Sequence, residues 1–166
     1  DNGGPASEKI TDAIFAHTQT LTQYRISDAP AVDLDVLGTT RLENMLIEVI
    51  DPVADYAELM KGLFDFDAIR GLFASGFRMR FDAMHAVAGP YATTILEGIL
   101  GAPADTVVNG VPSEDFGGGH PDPNPVNAAE LIAAMAAPDA PDFGAASDGD
   151  GDRNMIVGRG IAVTPS

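Results

Sequence analysis

A chain of 166 residues with 45% hydrophobic and 20% charged residues can bury the core of a soluble globular protein. Its 25 acidic and 9 basic residues give a formal net charge of -16, which excludes nucleic acid and anionic membranes as partners because both would repel it. The lack of cysteine excludes a disulfide framework and thiol chemistry, and no apolar run approaches the roughly 20 residues that cross a bilayer.

The first fifty residues predict one helix and one strand, joined by a polar connection. Residues 8–21 carry apolar side chains at near-helical spacing and follow Pro5, a residue that suits the first turn of a helix. Residues 27–41 are polar and rich in aspartate. Residues 45–50 (MLIEVI) form a short apolar run that is typical of a strand.

From Asp51 onward, the pattern alternates between helices and strands. A helix is predicted to begin at Asp51-Pro52, with Asp51 or Asp55 as its N-terminal cap, and a second helix at residues 66–74. In residues 77–84 (FRMRFDAM), apolar and charged side chains alternate. This alternation predicts a strand with one buried face and one face in water.

The second half of the chain completes an α/β pattern. The remaining predicted elements are a helix (91–100), a strand (106–111), an alanine-rich helix (128–137), a strand (143–146) and a β-hairpin (155–157 with 161–163). We therefore predict a three-layer α/β fold: a parallel or mixed sheet with helices on both faces, followed by a C-terminal β-hairpin. Ligands gather at the carboxyl ends of the strands in such sheets, so the loop after residue 146 is expected at the functional edge.

That loop reads SDGDGDRN (residues 147–154) and places three aspartates, Asp148, Asp150 and Asp152, at alternate positions. Three carboxylates so close together repel one another, which favours a bound divalent cation. Oxygen ligands suit magnesium, manganese or calcium. A calcium-binding helix-loop-helix site is excluded, because its sixth and twelfth positions require glycine and glutamate and hold Arg153 and Arg159 here.

Arg153 directly follows the third aspartate and suggests a role in phosphate chemistry. A guanidinium group can engage a phosphate through two parallel hydrogen bonds, and a metal beside an arginine is typical of phosphoryl transfer. The alternative is a solvated acidic turn in which Arg153 is only a counter-charge. Without a cation, we expect mutual repulsion to raise the pKa values of the three carboxyl groups.

Four stretches of the sequence resemble one known family. They are SDGDGDRNMIVG (147–158), GVPSEDFGGGHPDPN (110–124), DAMHAVAGPY (82–91) and DNGGPASEKITDAIF (1–15). Together they resemble the α-D-phosphohexomutases, the phosphoglucomutase branch in particular. The resemblance covers nearly the whole chain and is weakest in residues 27–45. It implies that residues 1–50 are the end of the family's first domain and that residues 51–166 are its second domain, ending near the junction with the third.

The resemblance also implies a function. Members of the phosphoglucomutase branch are cytoplasmic phosphoprotein isomerases of glucose metabolism. They interconvert glucose 1-phosphate and glucose 6-phosphate through a phosphoserine, with glucose 1,6-bisphosphate as the intermediate, in a cleft formed by four domains. By resemblance, Asp148, Asp150 and Asp152 bind Mg²⁺, and Asp152 and Arg153 border the phosphosugar substrate.

The sequence departs from the family in one respect, because the T-A-S-H-N-P-type motif that carries the phosphoserine is missing. We therefore expect no catalytic residue on this chain, and the remaining phosphohexomutase domains as its partners. Two alternatives stay open: a phosphomannomutase or bifunctional phosphohexomutase, and a non-catalytic phosphohexomutase-like binding protein. His85 and His120 are expected near the ligand edge, and the sequence assigns neither a role.

Overall fold

The structure is a computed structural model that describes residues 4–26 and 28–163. The chain divides into two compact units, Asp1–Ile50 and Asp51–Ser166. No helix in the described part of the chain is long and apolar enough to cross a membrane.

In its described residues, the first unit contains one helix and one β-hairpin. Helix α1 (Glu8–Thr18) ends earlier than predicted, and strands β1 (Gly38–Leu42) and β2 (Met45–Val49) pair in an antiparallel sheet. The prediction of a polar connection up to residue 41 is wrong, because β1 occupies its end. The sequence of β1, GTTRL, contains only one large apolar residue, so it lacks the apolar pattern by which a strand is recognised. None of the described residues of α1, β1 or β2 is buried.

The second unit is a five-stranded mixed sheet with helices on both faces. Its elements in chain order are α2 (Pro52–Leu63), α3 (Phe66–Ala74), β3 (Met79–Asp82), α4 (Ala88–Ala92), a π-helical segment (Thr93–Ile99), β4 (Val107–Val108), a 3₁₀ turn (Phe116–Gly118), α5 (Ala129–Ala136), β5 (Phe143–Ser147), β6 (Asn154–Gly158) and β7 (Ile161–Val163). The strand order is β4-β3-β5-β6-β7. β3 runs parallel to β4 and β5, whereas β5, β6 and β7 form an antiparallel meander. The predicted α/β class and C-terminal hairpin are confirmed.

Aspartate side chains cap the first two helices of this unit. The Asp51 carboxylate accepts a hydrogen bond from the Val53 backbone N–H at 2.9 Å, so of the two predicted candidates Asp51 is the cap of α2. Asp65 accepts one from the Ala68 N–H at 2.9 Å and caps α3, whose bounds are those predicted from the sequence. These caps satisfy backbone donors that the first turn of a helix leaves free.

Two hydrophobic clusters lie on opposite faces of the sheet. One joins α3 to the end of the π-helical segment through Phe66, Phe73, Leu100 and Ala102, with Met79 of β3 packed against it. The other joins α5 to the sheet through Met84, Leu131, Met135, Ala146, Met155 and Val157. Met79 pairs with Phe143, and Ala146 lies three residues further along β5, so the two clusters use alternate faces of the pleat.

The prediction that β3 has one face in water is wrong. Asp82 is buried, and Met79, Arg80 and Phe81 are all half-buried. β3 lies between β4 and β5, and helices cover both faces of the sheet, so neither set of alternate side chains is fully exposed. The alternation of charged and apolar residues therefore does not mark a solvent-facing edge here.

The predicted helix at residues 91–100 begins earlier, at Ala88. The backbone of α4 packs closely on the loop after β4. A Cβ atom built on Gly89 would lie 2.1 Å from the carbonyl oxygen of Gly110. The positions of this Cβ atom and of the carbonyl oxygen are both set by the backbone, so neither can move aside. The close approach of the two segments therefore requires glycine at position 89.

We predict that Gly89→Ala destabilises the protein by about 1–3 kcal/mol, the usual cost of overpacking. Gly71→Ala in α3 is the matched control, since a Cβ there meets nothing within 4 Å. The control is expected to stabilise α3 by about 0.5–1 kcal/mol. Urea unfolding of both variants measures the difference, and equal midpoints would contradict the close contact.

Candidate metal centre

The three aspartates lie on the turn that joins β5 to β6, which we call the aspartate loop (residues 148–153). β5 ends at Ser147, which pairs with Asn154 at the start of β6. The loop therefore lies at the carboxyl end of β5, beside the carboxyl end of its parallel neighbour β3. This is the edge at which the sequence predicts a ligand site.

The aspartate loop brings its three carboxylates together. Asp148, Asp150 and Asp152 each offer an oxygen atom, and these atoms all lie within 4.8 Å of one another. The Asp148 side chain is buried, whereas those of Asp150 and Asp152 are exposed. Three carboxylate oxygens at this separation fit the ligand set of a hard divalent cation such as magnesium or calcium.

Asp148 also holds the loop in shape. Its Oδ1 accepts hydrogen bonds from the backbone N–H groups of Gly151 at 3.0 Å and Arg153 at 3.1 Å. Its own N–H donates to the Arg153 carbonyl at 3.1 Å. Gly151 has a φ of 80°, a left-handed conformation that glycine adopts at little cost. The buried carboxylate thus closes the loop from inside.

The guanidinium group of Arg153 is held by two carboxylates from different segments. Its Nε donates to Asp148 Oδ2 at 2.9 Å, and its Nη1 donates to Asp122 Oδ1 at 3.1 Å. Nε also lies 3.5 Å from Asp152 Oδ1. The side chain remains 52% exposed, so part of the guanidinium group faces solvent beside the three aspartates. An oriented, partly exposed guanidinium group is well suited to bind phosphate.

The electrostatics of the loop separate Asp148 from Asp152. Interaction with the Asp148 carboxylate and the charge of Asp150 raise the pKa of the Asp152 carboxyl above its usual value. Burial works to raise the pKa of Asp148, but hydrogen bonds from the Arg153 backbone and side chain outweigh it, and the pKa is lowered. The expectation of raised pKa values is confirmed for Asp152 and wrong for Asp148, because the hydrogen bonds to Asp148 outweigh the effect of its burial.

Residues 121–127 form a second wall of the site that the sequence did not reveal. The Pro121 carbonyl accepts a hydrogen bond from the Gly149 N–H at 3.0 Å. The Asp122 carbonyl accepts bonds from the side-chain amides of Asn124 at 3.0 Å and Asn127 at 2.9 Å, which fix the residue that binds Arg153. The P-D-P-N pattern signals a turn. The partners of this turn in the aspartate loop, Gly149 and Arg153, lie more than 25 residues away in the sequence, so local patterns did not identify them.

Both histidines of interest line one cavity of about 390 Å³, together with Asp82 and Glu130. His85 is half-buried, and its Nδ1 lies 3.0 Å from the Val111 carbonyl. His120 is exposed, and its backbone carbonyl accepts a hydrogen bond from the Asp122 N–H at 2.9 Å. Both therefore lie near the carboxyl edge of the sheet, as expected.

Comparison with known families identifies the group to which this architecture belongs. Residues 54–160 match the family model described as phosphoglucomutase/phosphomannomutase, alpha/beta/alpha domain II. The chain belongs to this family. The match spans four strands of the sheet, β3 to β6, and ends just before β7; it includes the whole aspartate loop.

Individual relatives match over almost the whole chain. A phosphoglucomutase from Rhizobium radiobacter is 59% identical over 165 residues, which are 99% of this chain and 30% of that protein. A chloroplastic phosphoglucomutase from Marchantia polymorpha is 55% identical over 99% of this chain and 26% of its own length. The chain therefore spans less than a third of these relatives. Other relatives are named as cytoplasmic phosphoglucomutases.

A solved structure shows the same fold. The open form of parafusin, an exocytosis-sensitive phosphoprotein and phosphoglucomutase from Paramecium, superimposes with a TM-score of 0.86 at 46% identity. The match covers 99% of this chain and 32% of the parafusin chain. The similarity extends through both compact units.

We predict that substitutions at the buried and exposed aspartates have different effects on folding. Asp148→Asn removes a buried charge that accepts bonds from Gly151 and Arg153, so the metal-free protein should lose about 1–3 kcal/mol of unfolding free energy. The control Asp150→Asn should leave that free energy nearly unchanged, because the side chain is exposed. Urea unfolding in EDTA measures both. Equal losses would show that Asp148 does not organise the loop.

Proposed function

We propose that this chain is the metal-binding portion of a phosphoglucomutase. Such an enzyme is an intramolecular phosphotransferase of the isomerase class. It interconverts glucose 1-phosphate and glucose 6-phosphate through a phosphoserine and glucose 1,6-bisphosphate. The convergence of three aspartates beside an oriented arginine carries the proposal, because phosphoryl transfer depends on neutralising and positioning phosphate charge. The phosphoglucomutase names of the relatives support it.

The domain assignment follows from the same proposal. Residues 1–50 are the C-terminal part of the first phosphohexomutase domain, and residues 51–166 are the second domain, ending near the third. The division of the structure between Ile50 and Asp51 supports this boundary. The relatives are more than three times as long as this chain, so we place the reacting serine and the remaining domains outside it, with no catalytic residue on the chain itself.

Each site residue has a distinct role in this proposal. Asp148, Asp150 and Asp152 hold Mg²⁺, which when bound supplies positive charge to a transferring phosphoryl group. Asp148 keeps the loop closed from its buried position, whereas Asp150 and Asp152 present their oxygens from the exposed side. Arg153 is held by Asp148 and Asp122 and binds a phosphate of the sugar with its free face, next to Asp152. The proposed ligand is therefore a phosphosugar such as glucose 1,6-bisphosphate.

The alternatives use the same fold. A phosphomannomutase or bifunctional phosphohexomutase shares the family model, and the names of the closely similar relatives favour the glucose enzyme. A non-catalytic phosphohexomutase-like binding protein is disfavoured, because a scaffold would have no reason to keep the exposed carboxylates of Asp150 and Asp152 so close to each other and to Asp148. The net charge argues against nucleic acid and membranes as partners. We propose a cytoplasmic location, although the relatives include chloroplastic proteins as well as cytoplasmic ones.

We predict that Mg²⁺ or Mn²⁺ raises the thermal unfolding temperature of the chain. A ligand that binds only the folded state stabilises it by about 2.7 kcal/mol at a hundred times its dissociation constant. Asp150→Asn should abolish this stabilisation without lowering the temperature measured in EDTA. Sodium chloride at matched ionic strength controls for general screening of the acidic surface. Equal shifts in the unmodified chain and the variant would place the cation elsewhere.

We also predict that the purified 166-residue chain does not interconvert the glucose phosphates. A coupled assay that reports glucose 6-phosphate should show no turnover, because the reacting serine lies outside the chain. Asp150→Asn controls for contaminating enzyme: activity that persists in the variant does not belong to this site. Turnover that requires Asp150 would instead show that the chain supplies its own nucleophile.

A further inference from the structure

His85 sits at a strained position just beyond β3. Met84 and His85 have φ values of 52° and 54°, so two consecutive residues other than glycine adopt the left-handed conformation. This conformation costs free energy for residues with a Cβ atom, and it persists only where surrounding contacts enforce it. Asp82, buried at the end of β3, accepts a hydrogen bond from the Met84 N–H at 2.9 Å and helps to enforce it.

The strained turn clamps the segment that follows β4. The His85 N–H donates to the Asn109 carbonyl at 2.9 Å, and the His85 carbonyl accepts from the Ser113 N–H at 2.9 Å. The side chain adds a third bond, from Nδ1 to the Val111 carbonyl at 3.0 Å. A carbonyl oxygen only accepts, so Nδ1 carries the hydrogen of this bond. His85 thus holds three alternate residues of one segment.

The imidazole ring also supports the next turn of that segment. A Cβ atom built on Gly117 would lie 2.6 Å from His85 Cδ2, so the ring lies directly against the Gly117 backbone. Gly117 has a φ of 65°, and its N–H donates to Asp115 Oδ1 at 3.1 Å. The preceding residue, Phe116, has a φ of 53° and is likewise fixed in a left-handed conformation.

Phe116 and Pro121 then carry this support to the aspartate loop. A Cβ atom built on Gly149 would lie 3.3 Å from Pro121 Cγ and 3.9 Å from Phe116 Cε1. The Gly149 N–H donates to the Pro121 carbonyl at 3.0 Å. Gly149 lies between the first two aspartates of the loop, so the position of this segment affects the spacing of the carboxylates.

We propose that His85 is a positioning residue for the cation site. Its Nδ1 bond to Val111 and its ring contact with Gly117 fix residues 109–121, which in turn fix Gly149 and the carboxylates on either side of it. The inference rests on the proposed function, because its consequence is the affinity of the aspartate loop for a divalent cation. His85 touches none of the three aspartates and acts through the intervening segment.

Mn²⁺ titration of the full chain, with free Mn²⁺ measured by electron paramagnetic resonance, tests the proposal. We expect His85→Ala to weaken Mn²⁺ binding by up to about tenfold, because His85 acts through the intervening segment and even the loss of a group that bonds directly to a ligand costs about tenfold or more. His85→Asn should restore binding to within about twofold of the unmodified chain. The Asn side-chain Nδ2 can donate to the Val111 carbonyl in place of His85 Nδ1, and a neutral donor is sufficient for this bond. His17→Ala, an exposed histidine of α1, controls for the loss of any imidazole.

A second control separates positioning from loss of stability. Phe73 belongs to the hydrophobic cluster on the face of α3, so Phe73→Ala destabilises the fold without removing a contact to residues 109–121. Compared at conditions of equal folded fraction, Phe73→Ala should bind Mn²⁺ like the unmodified chain. Amide hydrogen exchange at Gly149, which needs no cation, should accelerate in His85→Ala and not in Phe73→Ala.

The outcomes are distinguishable. Unchanged Mn²⁺ affinity and unchanged Gly149 exchange in His85→Ala would overturn the inference and leave the proposed metal site standing. Equal weakening of Mn²⁺ binding in His85→Ala and His85→Asn would overturn the role of the Nδ1 bond. Equal weakening in Phe73→Ala would overturn the positioning role, because the effect of His85→Ala would then be a loss of stability. Failure of the unmodified chain to bind Mn²⁺ would contradict the proposed function itself.

Discussion

The buried carboxylate of Asp148 is the interaction on which the candidate site depends. A carboxylate removed from water is stable only if its oxygens are well paired, and here the backbone and side chain of Arg153 provide that pairing, along with the Gly151 N–H. The same bonds set the curvature of the loop and the orientation of the arginine. The charge of Asp148 thus orders both the carboxylate cluster and the guanidinium group of Arg153.

The mixed sheet places two separate loops side by side. Because β3 and β5 are parallel neighbours, the turn at His85 and the aspartate loop leave the sheet at the same edge. The segment between β4 and α5 then bridges them, touching His85 at one end and Gly149 at the other. The parallel pairing of β3 with β5 therefore brings together three parts of the chain that are far apart in the sequence.

The sequence predicted the elements whose signals are local. α3 was predicted to the residue, because its apolar spacing and its end are unambiguous, and the three aspartates were found because they are adjacent. β1 was missed, since its threonines and arginine resemble a loop, and β3 was misread, since alternation does not report the number of layers that cover a strand. Asp122 was missed for a related reason: its significance comes from Arg153, 31 residues away, and no pattern in a single sequence encodes that pairing.

The unequal burial of the three aspartates separates two properties of the loop, its shape and the set of ligands that it offers to a cation. Asp148 is buried and accepts the hydrogen bonds that shape the loop, whereas Asp150 is exposed. A substitution at the outer position changes the number and charge of the ligands offered to a cation, while the hydrogen bonds that shape the turn stay in place. The preference of such a loop for one ion over another is thus open to adjustment, by natural variation or by design, within a scaffold that does not have to be rebuilt each time.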